Sequence, residues 1–89
     1  MYRILVSATF RRQFHAYSHE EQGRIRNGLH ILADDPLTPR SGADIKPLQQ
    51  TVPKKYRLRI GDFRIIYSIK DDTVLIIEIF IRGKGYPRH

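Results

Sequence analysis

Three arginines, Arg57, Arg59 and Arg64, stand in the short stretch Tyr56 to Tyr67, YRLRIGDFRIIY, with Asp62 as the one acid among them. A guanidinium is permanently charged and planar, and its fork of donors matches the oxygens of a phosphate. Apolar and basic residues alternate on both sides of Gly61-Asp62, which reads as two strands joined by a two-residue turn. Gly in first place suits the type II′ hairpin. Such a turn fixes the register. Ile60 then faces Phe63, Arg59 faces Arg64, Leu58 faces Ile65 and Arg57 faces Ile66. Cross-strand partners share a side, so Leu58 and Ile65 point one way and the three arginines the other. Like charges directly opposite one another are destabilising. An anion site accounts for that concentration better than a solvated surface does.

Other chemistries are poorly provided for. The chain has no cysteine, which excludes disulfides and thiolate catalysis. His15 and His19 are spaced as two metal ligands on one helix would be, but Ser18 reads as a helix cap between them and no third ligand is near. No metal and no cofactor is expected. His30 reads as a surface residue, and His89 as a possible RNA contact.

The charge is unevenly placed. Of 89 residues, 16 are Lys or Arg and nine are Asp or Glu, for a net charge of +7. Residues 1–45 hold six basic and five acidic side chains, whereas residues 46–89 hold ten and four. A basic half points to a polyanionic partner, either nucleic acid or an acidic protein. Lys46, Lys54, Lys55, Lys84 and Arg88 belong to that half and are the candidate contacts to an RNA backbone if that partner is nucleic acid.

The elements that must position these residues follow from the rest of the pattern. The length fits one domain, residues 1–89. The apolar run at the N-terminus is too short for a signal peptide and no run approaches a membrane span, so a cytoplasmic protein is expected. Tyr2 to Val6 reads as a strand. Ser7 is a cap for a short helix with Phe10, Phe14 and Tyr17 on one stripe. Ser18 and Glu21 form a capping box that opens a second helix, whose buried stripe is Ile25, Leu29, Leu32 and Ala33 and which ends at Asp34-Asp35-Pro36. Four of the five prolines fall between Pro36 and Lys54, which reads as one long loop, with Ile45 and Leu48 pinning it to the core.

After the hairpin, a last strand runs from about Val74 to Ile81. Leu75, Ile77, Ile79 and Ile81 are assigned to its core face, and Glu78, Phe80 and Arg82 to the arginine face. That parity requires an odd-length loop at Asp71-Asp72, because a two-residue turn would bury Glu78. Glu78 is then the acid available to orient an arginine. The expected fold is α+β: order β-α-α-β-β-β, with a helical hairpin on one face of a mainly antiparallel four-stranded sheet.

The hairpin stretch, together with the closing RGKGY at Arg82 to Tyr86, resembles the RelE/ParE superfamily of type II toxin–antitoxin systems, and the likeness spans nearly the whole chain. The RelE-like branch is favoured. It implies a small RelE-like fold and a ribosome-dependent endoribonuclease that cuts messenger RNA in the A site (of the 70S ribosome, in a bacterium). The catalytic positions it implies are Arg57, Arg59, Arg64, Arg82 and Tyr86. In that reading the 2′-hydroxyl attacks the adjacent phosphate without a metal. Arg64 and Arg82 stabilise charge, Arg57 and Arg59 hold the backbone, and Tyr86 serves as acid–base or stacking group. A RelB-like antitoxin is the implied partner in a heterocomplex. The alternatives are a ParE-like inhibitor of DNA gyrase that cuts no RNA, and an inactive homologue that only binds antitoxin. Some RelE enzymes have lysines at positions 57 and 59, and many have a histidine where Ile81 stands.

Overall fold

The computed structural model describes residues 1–49 and 52–81. The order is β1 (Arg3–Val6), α1 (Ala8–His15), α2 (His19–Asp34), β2 (Asp44–Pro47), β3 (Tyr56–Ile60), β4 (Phe63–Lys70) and β5 (Thr73–Ile81). The strands form one sheet in the spatial order β1-β5-β4-β3-β2, with β1 parallel to β5 and the other neighbours antiparallel. The expected α+β fold is present, with five strands instead of four. The added strand, β2, lies inside the segment expected to be a loop. Ile45 alone turns inward from it, opposite Leu58. Pro47 is tolerated because an edge strand leaves one row of backbone groups unpaired by the sheet.

The two helix starts match their sequence signals. Ser7 Oγ accepts from the Phe10 amide at 2.9 Å, and Ser18 and Glu21 form the reciprocal capping box. His15 ends α1 and His19 begins α2, so the two histidines sit on separate helices. Phe10, Ile25 and Leu32 are buried, and Phe14, Tyr17 and Leu29 pack against them. These side chains cover the sheet face made by Leu58, Phe63, Ile65, Tyr67, Val74, Ile76 and Ile79. Gly28 lets helix α2 come close to the sheet: a Cβ there would collide with Ile60 Cδ1. Among the described residues no helix covers the opposite face of the sheet, which is the face expected to carry the arginines.

β4 and β5 are joined by a two-residue turn, with Lys70 opposite Thr73. The expected odd-length loop is therefore absent. The change of parity occurs inside the ladder, where Ile66 faces Glu78 but Tyr67 faces Ile76, leaving Ile77 as the extra residue of a bulge. Before the bulge, Val74 and Ile76 are buried and Leu75 turns outward, 40% exposed. After it, Ile79 is buried and Glu78 and Phe80 lie on the open face. Leu75 and Ile77 thus leave the core set assigned from sequence, while Glu78 and Phe80 sit where expected. Helix α1 supports the bulged segment beyond the end of β1. Ser7 donates through Oγ to the Ile77 carbonyl at 2.5 Å, and the Ile79 amide donates to Gln13 Oε1 at 2.8 Å. No described helix is long and apolar enough to cross a membrane.

Candidate functional site

The Gly61-Asp62 turn produces the expected register. Gly61 has φ of +55° and Asp62 does not share the positive sign, as a II′ turn requires. Arg59 faces Arg64 and Arg57 faces Ile66. Adding β2 and β5 gives two parallel rows across the open face. One runs Glu78, Ile66, Arg57, Lys46; the other runs Phe80, Arg64, Arg59, Asp44. With strands about 4.8 Å apart, four cations and two carboxylates occupy a patch the size of a few nucleotides. Each row holds two cations and one acid.

Arg59 is exposed, while Arg57 and Arg64 are half-buried. Ile66, between Glu78 and Arg57, is buried on this side of the sheet. Arg57 Nη2 lies 3.2 Å from Asp44 Oδ1, and its Nε is buried with no hydrogen-bond acceptor among the described residues. Glu78, the acid expected to orient an arginine, stands in the same row as Arg57, but the ion pair formed with Arg57 uses Asp44. Sequence reasoning missed Asp44 because it missed β2. The signal available was the alternation Asp44, Ile45, Lys46, which places the acid and the lysine on one side of an inward isoleucine.

Of the lysines read as RNA contacts, Lys46 joins the arginine face directly. Lys55 precedes β3 by one residue and accepts through its carbonyl from the Leu48 amide, which prolongs the β2–β3 ladder. The Lys54 ammonium lies 6.0 Å over the ring of Tyr56, which stacks on Tyr67 on the core side. The structure therefore separates Lys54 from the arginines. Arg82, Lys84, Tyr86, Arg88 and His89 lie outside the described residues.

The platform under this face is tied down by polar contacts, of which that of Tyr67 is buried. Tyr67 donates its hydroxyl to the Pro36 carbonyl at 2.7 Å, and burial raises the phenol well above its usual range. Arg40, another residue without a role from sequence, donates to the carbonyls of Ile31, Asp35 and Thr38 and so closes the C-terminal end of α2. The Asp35 carboxylate accepts from the Leu37 and Thr38 amides, which lowers its pKa. These contacts fix the start of the segment that leads into β2.

The family model described as the ParE toxin of type II toxin–antitoxin systems, parDE, matches residues 6–86. No curated protein matches the chain. The archaeal RelE–RelB complex from Pyrococcus horikoshii contains a chain 28% identical, with a TM-score of 0.78 over 94% of this chain and 98% of that one. A RelBE toxin–antitoxin complex from Mycobacterium tuberculosis contains one 25% identical, with a TM-score of 0.76 over 91% and 98%. YafQ from E. coli, 14% identical, shares the fold with a TM-score of 0.72 over 93% and 96%. The two helices and the five-stranded mixed sheet are those of a RelE-like fold, and the chain belongs to the ParE toxin family of type II toxin–antitoxin systems.

Proposed function

We propose that this toxin is a ribosome-dependent endoribonuclease that cuts messenger RNA, acting in the cytoplasm and neutralised by a RelB-like antitoxin. The observation that carries the reading is the convergence of Arg57, Arg59, Arg64 and Lys46 from three strands on the face opposite the helices. The likeness to two RelE chains that were solved with their RelB partners supports the antitoxin.

The chemistry is transesterification. The ribose 2′-oxygen bonds to phosphorus as its proton leaves, the bond from phosphorus to the 5′-oxygen breaks, and that oxygen takes up a proton. Charge builds on the phosphoryl oxygens, where fixed guanidinium donors stabilise it. Arg64 is assigned that task with Arg82. Arg57 and Arg59 hold the flanking backbone, with Lys46 at the edge. An arginine stays protonated at physiological pH and does not serve as the base. Tyr86 is assigned the acid–base or stacking role, and the ribosome aligns the message for in-line attack.

The second reading, inhibition of DNA gyrase without RNA cleavage, is favoured by the name of the matching family model. Two assays on the same purified toxin separate them. Primer extension on a message under translation should show new 5′ ends that require the toxin and ribosomes together. A gyrase supercoiling assay should show no inhibition. Intact message with blocked supercoiling would establish the gyrase reading instead.

A further inference from the structure

We propose that Asp44 is a positioning residue of the arginine site: it holds Arg57 toward the sheet edge, so that the guanidinium is presented as a fixed donor beside Arg59 and Arg64. This inference rests on the anion-site reading above and names a residue which that reading does not need.

The register makes Arg59, and not Arg57, the residue opposite Asp44. The ion pair is therefore diagonal, 3.2 Å from Asp44 Oδ1 to Arg57 Nη2. The Arg57 side chain is 18% exposed and that of Asp44 48%, so the arginine is the more enclosed partner. The contact to Asp44 engages Nη2, and Nε has no acceptor among the described residues. A buried donor left in that state is a place where an incoming acceptor gains free energy. The Asp44 carboxylate, opposite Arg59, also offsets part of the like-charge repulsion between Arg59 and Arg64.

Asp44 is itself well supported. Its neighbours Ala43 and Ile45 are buried. Arg40 and Ala43 exchange backbone hydrogen bonds at 3.0 and 2.8 Å, and Arg40 is anchored on the C-terminal carbonyls of α2. A chain of contacts thus runs from the helix layer through the loop to Asp44 and on to Arg57. Functional side chains held by such a supporting shell keep their geometry without reorganisation during the reaction.

The test is a double-mutant cycle with Asp44→Ala, Arg57→Ala and the double variant, plus Asp44→Glu, in the full-length toxin. Two quantities are measured: kcat and KM for cleavage on translating ribosomes, and affinity for a short single-stranded RNA by fluorescence anisotropy. Removing an acid from a basic face should leave RNA affinity equal or higher, yet kcat should fall about tenfold as the Arg57 donor loses its place. Asp44→Glu should restore most of the rate, and Asp44→Ala should cost nothing further when Arg57 is already alanine.

Equal losses of rate and binding that track the unfolded fraction would make Asp44 merely structural. A rise in rate and affinity together would make it a competitor for Arg57. An unchanged effect in the Arg57→Ala background would remove the coupling. Each outcome overturns the proposal. If the wild type cuts no message, the nuclease reading fails by itself and the cycle is read from oligonucleotide binding. A non-additivity of about threefold then supports the Asp44–Arg57 coupling, and additive effects overturn it.

Discussion

The two faces of the central strands obey opposite rules. On the helix side, Leu58, Ile65, Ile76 and Ile79 are fully buried, and the one prominent polar atom, the Tyr67 hydroxyl, is paired with Pro36. On the open side the same strands carry Arg57, Arg59 and Arg64 with two of the cations directly opposed. The first face is built for stability. The second tolerates repulsion that a purely structural sheet would avoid, and that contrast is the reason for proposing it as the working surface.

Substitutions on the two faces should therefore separate stability from activity. The largest stability effect is expected for Leu58→Ala, which should cost about 3 kcal/mol through lost burial and a residual cavity. In so small a domain that is a large share of the total, visible in chemical denaturation. Arg64→Ala should show the converse. Cleavage should fall about a hundredfold, while the denaturation midpoint stays close to the wild type.

Tyr67→Phe is an intermediate case, because it removes a buried hydroxyl and leaves the Pro36 carbonyl short of a donor. A loss of about 1 kcal/mol is expected. It should also change the alkaline limb. Burial, then the neighbouring Tyr56, raises the Tyr67 phenol above its ordinary value. Its contribution is thus fully present below about pH 10, the unfolded value, and is lost as pH rises toward the folded one. The phenylalanine variant should show a flatter stability–pH curve in that range.

The smallest effect concerns the second turn. Asp71 has φ of +56°, a conformation that glycine adopts at lower cost than an L side chain. Asp71→Gly should raise stability by a few tenths of a kcal/mol, about 0.5 at most, with no effect on cleavage. A loss of activity there would blur the division between the faces.

The parts of this design that were legible in the sequence are those with a local physical rule. Ser7 and Ser18 cap their helices because a hydroxyl stands before each apolar stripe. The arginines share a face because Gly61 fixes a turn and the turn fixes a register. Two features lacked such a rule. Val74 to Ile77 is a continuous apolar run, so either parity buries an aliphatic side chain, and the bulge that decides between them is set by pairing with β4, by the hydrogen bond that Ser7 donates and by the one that Gln13 accepts. Strand β2 has four residues, one inward side chain and a proline, too little for a periodic signal. Without β2 the role of Asp44 is hidden, while Lys46 stands out by its charge and not by its place beside Arg57.

The measurement that bears most directly on the working face is primer extension on a message translated with purified ribosomes, comparing wild-type toxin with Arg64→Ala at matched folded concentration. Strong ribosome-dependent stops with the wild type, reduced about a hundredfold in the variant, are the predicted result. Equal cleavage by both proteins, or none by the wild type on actively translating ribosomes, would contradict the assignment of the arginine face as an RNA-cutting site.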